Sequence, residues 1–244
     1  PQFLPDGGSE RNIRNPTIVQ VGKPIGQFYG YRTQGIIQQG DVGRIPVFSG
    51  FTKAGDQRFV DLNGDGTISD ADRVVLGTAQ PKFTGAITNT FNYKGVDLSV
   101  FFQSVYGNSI LNYNRADLET FTGNRQVSAD ALNRWTPTNT NTNIPRANSA
   151  ASAVPLSDRF VEDGSFLRLK NVVLGYELPP SVARKIRAKK VRVYVSGQNL
   201  FTVTNYSGYD PEVSRNGQSN LYGGIDFGNY PNYRTFLSGL NLSF

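Results

Sequence analysis

Apolar and polar residues alternate with a two-residue period from Phe83 to Tyr106. Phe83, Gly85, Ile87, Phe91 and Tyr93 interleave with Thr84, Ala86, Thr88, Thr90 and Asn92. After Lys94-Gly95, Val96, Leu98, Val100 and Phe102 interleave with Asp97, Ser99, Phe101 and Gln103. Successive side chains of a strand point to opposite faces, so the pattern predicts two strands, each with one apolar face. A two-residue hairpin at Lys94-Gly95 pairs Tyr93 with Val96, Phe91 with Leu98, Asn89 with Val100 and Ile87 with Phe102. Both apolar sets then share one face, and a slip of one residue would separate them.

Four further stretches follow the pattern less cleanly. Phe166 to Leu178 alternates only over Val172, Leu174 and Tyr176, and Val191 to Phe201 over Val191, Val193 and Val195. The end of the chain alternates over Phe236, Leu240, Leu242 and Phe244, while Gly26 to Ile37 is aromatic and strand-like without a defined face. Long connections (Gln38 to Lys82, Gly107 to Ser165, Asn205 to Tyr233) alternate with short ones (Lys94-Gly95, Pro179 to Lys190). Transmembrane barrels have this habit, with short periplasmic turns, long external loops and strands of about 9 to 11 residues. The expected fold is therefore all-β: an antiparallel transmembrane β-barrel segment of about six strands. Fewer than about eight strands do not close a membrane barrel, so the remaining wall is expected from elsewhere. A last strand ending in Phe244 fits the end of an outer-membrane barrel.

Composition narrows the chemistry. The 244 residues contain no Cys, His or Met, which excludes the usual zinc sites and the Ser-His-Asp and Cys-His nucleophile systems within this chain. No enzymatic activity is expected. Carboxylate pairs such as Glu162-Asp163 or Asp210 and Glu212 lie in single segments, which is no sign of two acids flanking a bond. Only 38% of the residues are hydrophobic, and no apolar run approaches a transmembrane helix. The start at Pro1, without Met or a signal peptide, suggests a processed or partial polypeptide. The net charge of +6 is carried in full by Arg184, Lys185, Arg187, Lys189, Lys190 and Arg192. That local run predicts contact with lipid head groups at a turn, and no nucleic-acid partner.

The most explicit chemistry is Asp61-Leu62-Asn63-Gly64-Asp65-Gly66-Thr67-Ile68-Ser69-Asp70-Ala71-Asp72. Oxygen donors fall at loop positions one, three and five (Asp61, Asn63, Asp65), Gly66 permits the turn at six, and Thr67 offers its carbonyl at seven. Ser69 is placed to hold a water, and Asp72 closes the loop where sensor loops carry Glu. The expected cofactor is a structural calcium ion. With no paired loop or long flanking helix, a staple is expected here, not a switch. For substrate contact the sequence offers Trp135, after a short helix expected from Ser128 to Arg134, and the polar tract Asn139 to Asn143. The competing reading is a loop anchor for Trp135 and a solvated loop for the tract.

Taken in order, several segments resemble the C-terminal part of a SusC/RagA-family TonB-dependent outer-membrane transporter. They are Ile25 to Tyr31 with Gly35-Ile36; Asp61 to Gly66 with Asp72-Arg73 and Gly77; Pro81 to Gly85; Tyr93 to Gln103; Arg159 to Asn171; Gly175-Tyr176 before Leu178-Pro179; Val191 to Thr202; and Gly208 to Glu212. The resemblance covers nearly all of 1–244 and implies a barrel of about 22 strands filled by a plug, of which this chain would supply the last six or so strands. It implies import of oligosaccharides or peptides across the outer membrane of a Gram-negative bacterium, with the loops extracellular. The implied partners are TonB, reached through a region absent here, a SusD-like surface lipoprotein, the remaining barrel and plug, and outer-membrane lipid. The alternative is a secreted calcium-binding β-sandwich or dockerin-like module that binds carbohydrate.

Overall fold

Among the described residues before Phe83 the strands are short: β1 (Gln2–Phe3), β2 (Thr17–Val19), β3 (Gln27–Gly30), β4 (Thr33–Ile36), β5 (Gln57–Phe59) and β6 (Val74–Thr78). β1, β2, β3 and β6 form one small sheet and β4 with β5 another. The computed structural model describes residues 2–3, 16–119, 126–147, 155–214 and 222–244. Gly26 to Ile37, expected to be one strand of the wall, is thus split between two small sheets. A bridge from Tyr31 to Ser157 breaks it, Gly35 turns at φ 73°, and its apolar residues Phe28 and Ile36 are buried.

The long strands begin at Phe83. β7 (Phe83–Tyr93) and β8 (Val96–Tyr106) are paired in the expected register throughout, from Phe83 opposite Tyr106 to Tyr93 opposite Val96. Lys94 and Gly95 have φ of 47° and 84°, which a two-residue hairpin of this twist requires at both central positions. The chain then makes β9 (Ser109–Asn112), the helix α1 (Tyr113–Leu118) and β10 (Val161–Asp163), and returns as β11 (Phe166–Glu177). The helix α2 (Pro180–Lys185), opened by Pro at its first turn, leads into β12 (Lys190–Thr204). β13 (Ile225–Asp226) and β14 (Thr235–Ser243) complete the chain.

β7, β8, β11, β12 and β14 form one antiparallel sheet in the order β14-β12-β11-β8-β7, so the wall described here has five strands. Register places Ile87, Phe102, Leu98, Leu174, Val195, Val193 and Leu240 on one face. That face stays open: Ile87 is 63% exposed, Val195 54% and Phe236 74%. The opposite face carries Asp97, Gln103, Arg168, Asn171, Arg192, Tyr194 and Ser196. A sheet with its apolar side uncovered and polar groups on the other is the inverse of a water-soluble sandwich. β7 and β14 each keep one edge without a strand partner among the described residues.

All three long connections leave the same end of this wall and pack together. Phe28, Leu111, Tyr113, Ala116, Leu156, Phe160 and Ile225 form the core of this layer, and Leu76 and Ala79 of the first connection pack against it. β9 joins them further, pairing antiparallel with β10 and parallel with β13. Buried Glu119 accepts from Arg115 and Arg159 at 2.7 Å each, closing the loop between β8 and β11 on itself.

Candidate functional site on the inner wall and its loop layer

Arg168 of β11 is 2% exposed and lies on the polar face, where a buried guanidinium needs charge partners. The loop after β12 supplies them. Arg168 donates to Asp210 and Glu212 at 2.6 Å each, Lys170 donates to Glu212 at 3.0 Å, and Phe166 lies under the guanidinium at 5.3 Å. The amides of Glu212 and Asn232 donate to the two oxygens of Asp210 at 2.9 Å each. Burial pushes the Asp210 carboxyl up, but Arg168 and these two amides outweigh it and hold the group below its ordinary range. Both arms of the loop between β12 and β14 are therefore pinned to the inner wall. Glu162 is used similarly, accepting from Asn112, Arg115 and Ser207.

Nearer the short turns, Arg192 of β12 donates to both oxygens of Asp97 on β8, at 2.8 and 2.5 Å. β11 runs between these strands, and Gly175 lies under the ion pair; a Cβ there would collide with Arg192 and Asp97 alike. Arg192 also lies 5.2 Å from the Tyr194 ring, which in turn covers Gly239 of β14.

The Asp61 to Asp72 loop has the turn expected of it, with Gly64 at φ 75° and Gly66 at φ 83°. Its side chains bind loop amides: Asp61 accepts from Gly64 and Gly66 at 2.7 and 2.8 Å, Asn63 from Asp65 at 2.9 Å, and Asp65 from Thr67 at 2.8 Å. Each such oxygen keeps a second lone pair, so the donor chemistry at Asp61, Asn63 and Asp65 suits a hard cation. Ser69 accepts from Ala71 at 3.2 Å. Asp72 differs: it is fully buried and accepts from Leu62, Asn63 and Ser69. Burial raises its pKa, but these amides bring it below the usual carboxylate value. Among the described residues no three acidic side chains converge as a ready metal group. The loop is also tied down by packing: Thr67 bridges to Val47, and Phe48, Phe51, Phe59 and Tyr31 form an aromatic cluster beside it. Burial, and then Asp70, push the Tyr31 hydroxyl up to about 12.

Trp135 is 7% exposed. Its ring packs on Gly55, its indole N–H donates to Gln38 at 3.3 Å, and its backbone N–H donates to Ile144. The contact it makes is with its own chain, as an anchor of the loop between β8 and β11. It follows a 3-10 turn over Ala129–Asn133, inside the expected short helix. The polar tract folds back as well: Asn139 donates to the carbonyls of Asn133 and Arg134. Exposed aromatic surface lies elsewhere. Tyr209 and Tyr230 are 87% and 88% exposed and border a groove of about 510 Å³ together with Asn114, Asp117, Phe227 and Asn229. Both tyrosines adjoin the anchored positions Asp210 and Asn232. Sequence reasoning missed them because no periodic segment contains them.

Comparison with known proteins gives this arrangement a lineage. A comparison with protein-family models found no match. The chain is 44% identical over 236 residues, 95% of its length, to TonB-dependent receptor P3 of Formosa agariphila. It is 30% identical over 256 aligned residues, 99% of its length, to TonB-dependent receptor SusC of Bacteroides thetaiotaomicron. Among solved structures it superposes over its whole length on one described as the RagAB peptide transporter, with a TM-score of 0.75 and 27% identity. The chain belongs to the SusC/RagA family of TonB-dependent receptors. It spans 23% and 22% of the two receptors and 24% of the RagAB chain.

SusC/RagA receptors are outer-membrane proteins, so the five strands form a segment of a transmembrane β-barrel wall. The apolar face with Ile87, Leu174 and Leu240 meets lipid, and the face with Asp97, Arg168 and Arg192 lines the lumen. Among the described residues no helix is long and apolar enough to cross a membrane, and the crossing is made by strands.

Proposed function

We propose that this chain supplies part of the wall and outer loop layer of a transporter that imports oligosaccharides or peptides across the outer membrane. In this reading TonB drives the cycle, a SusD-like surface lipoprotein covers the entrance, and the long loops face outside. The observation that carries it is the five-strand wall, open and apolar outward and charged inward, with all long loops gathered at one end. Likeness to a solved structure described as a peptide transporter supports the peptide class. A secreted calcium-binding module would leave the face from Ile87 to Phe236 in water, which opposes that alternative.

The Tyr209 and Tyr230 groove is the substrate-contacting surface in this reading. Exposed rings held by an anchored loop offer flat faces to a sugar or to peptide side chains at little ordering cost. We further propose that the Asp61 to Asp72 loop takes calcium through Asp61, Asn63, Asp65 and the Thr67 carbonyl, with Ser69 placing a water and Asp72 closing the loop. The oxygen-only donor set and the positive-φ glycines support this reading. The ion would neutralise clustered acids and order the loop.

The test is made in the native host on the full receptor containing these residues. Deletion is expected to abolish growth on one class of oligosaccharide or peptide, and the polypeptide is expected to stay in the outer-membrane fraction after alkaline carbonate. Release by carbonate would overturn the membrane reading, and unchanged uptake of every oligomer tested would overturn the transport reading.

A further inference from the structure

The outward face of the wall is not uniform. Leu174, Tyr176, Val193, Val195, Ser238 and Leu240 line a groove of about 670 Å³ near the short-turn end. The register explains its depth: Ser238 stands opposite Val195, and Leu240 opposite Val193, so one small residue interrupts a bulky row. The groove is apolar, runs across β11, β12 and β14, and is open on the lipid side.

The basic cluster lies beside it. Val191 belongs to the same outward face as Val193, yet it is only 4% exposed because α2 and the following turn cover it through Ala183, Ala188 and Leu178. The turn containing α2 therefore folds over the outer side of the wall, about 7 Å along the strand from the groove. Arg184, Lys185, Arg187 and Lys189 are exposed on it, residues 178–192 carry no Asp or Glu, and the adjoining Glu177 lies 3.6 Å from Lys190. Ile186, 54% exposed, and Val182, 42% exposed, add apolar contacts on the same turn. Positive charge at the membrane surface next to an apolar slot matches one ligand architecture, an anionic head group with an acyl chain.

We propose that this turn and groove form a binding site for an anionic glycerophospholipid, with the phosphate on Arg184 and Arg187 and one acyl chain over Ser238. The proposal rests on the membrane-wall reading above and adds a specific lipid to it. A zwitterionic lipid, whose ammonium offsets its phosphate and is repelled by the basic turn, gains chiefly from the groove, and a soluble phosphate would satisfy the arginines alone; only the net-anionic amphiphile engages both.

The test is native mass spectrometry of the detergent-purified full receptor with phosphatidylglycerol or phosphatidylcholine of identical acyl chains, and with inorganic phosphate alone. Phosphatidylglycerol adducts are expected to be retained at least about tenfold more strongly, and Arg184→Gln with Arg187→Gln to reduce them to the phosphatidylcholine level. Ser238→Leu, which fills the groove and leaves the charges, should weaken both lipids. Equal retention of the two lipids, a preference that survives the arginine pair, or phosphate binding as tight as that of the lipid would overturn the proposal. Heat-modifiable migration of each variant reports barrel folding separately. Failure to insert in the membrane sinks the transporter reading, whereas intact insertion without lipid preference sinks only this one.

Discussion

Arg192 grips Asp97 across an intervening strand, and Gly175 is the residue that lets it do so. The pair is two-point, at 2.8 and 2.5 Å, and ties β8 to β12 over the top of β11. The hydrogen bonds of the sheet already connect each strand to its neighbour, so this clamp adds a second-neighbour link on the lumen side. Gly175→Leu is expected to force Arg192 and Asp97 apart and to destabilise the folded barrel by about 1–3 kcal/mol, as overpacking of a filled site does. Urea midpoints of the refolded receptor would measure it. If the clamp is the cause, Gly175→Leu should cost much less in an Asp97→Asn, Arg192→Gln background; an equal cost in both backgrounds would mean that the clamp is not what Gly175 protects.

Acid should release the loop between β12 and β14 before it unfolds the wall. Asp210 has a depressed pKa, with burial opposing and Arg168 and two amides prevailing, so it binds fewer protons folded than unfolded. The stabilisation is thus complete above the ordinary carboxylate value of about 4 and is lost as pH falls through the lower folded value. Protease sensitivity within 205–234 is expected to rise below about pH 4 while heat-modifiability persists. Arg168→Ala should produce the same opening at pH 7, because it leaves Asp210 buried and unpaired at a cost of about 3–5 kcal/mol. Protection of this loop that is unchanged by either treatment would refute the anchor.

The wall was legible where one residue means one step of alternation. The β7 and β8 pairing follows from Lys94-Gly95 and the two apolar rows, pair by pair. β11 reads poorly for a local reason: its register shifts between Leu169 and Asn171, and the extra residue reverses the parity. Leu167 and Leu169 face outward before the shift, Val172, Leu174 and Tyr176 after it, so a strict period finds only the second set. Pairing partners also decide whether a short aromatic run joins a wall or a loop sheet, and the run from Gly26 to Ile37 does not name its own. The loop layer was least legible. Arg168 and Asp210 are 42 residues apart, and Trp135 meets Gly55 across two connections; no periodicity encodes such contacts.

Removal of calcium should loosen one loop and leave the barrel folded. Extracellular-type loops bind at about 0.1–1 mM, so millimolar calcium contributes about 0.5–1.5 kcal/mol of local order. The aromatic cluster of Phe48, Phe51 and Phe59 and the buried Asp72 already hold the ends of this loop, which limits the effect further. Limited proteolysis between Gly40 and Gln80 is expected to accelerate several-fold with chelator, and Asp65→Asn, which keeps an oxygen but removes a charge, should reproduce part of that effect. Cleavage indifferent to chelator in the unaltered protein would refute calcium occupancy.

Tyr209 and Tyr230 provide a direct test of where substrate meets this chain. Each ring is almost fully exposed, so Tyr209→Ala and Tyr230→Ala remove little packing and should change stability by less than about 0.5 kcal/mol. Loss of a stacking face is instead expected to weaken binding of the imported oligomer about tenfold per ring, in line with the energy of aromatic contacts in water-accessible sites. Their neighbours sharpen the expectation. Asp210, next to Tyr209, and Asn232, two residues past Tyr230, are joined by a 2.9 Å hydrogen bond, so the anchor fixes both backbones. Conservative Phe substitutions should retain most of the affinity, since the ring face persists without the hydroxyl, and Arg168→Ala should lower affinity without touching either ring. Calorimetry on the receptor with its imported oligomer separates these outcomes. Full affinity in the Tyr209→Ala, Tyr230→Ala double variant would move the substrate surface away from this groove.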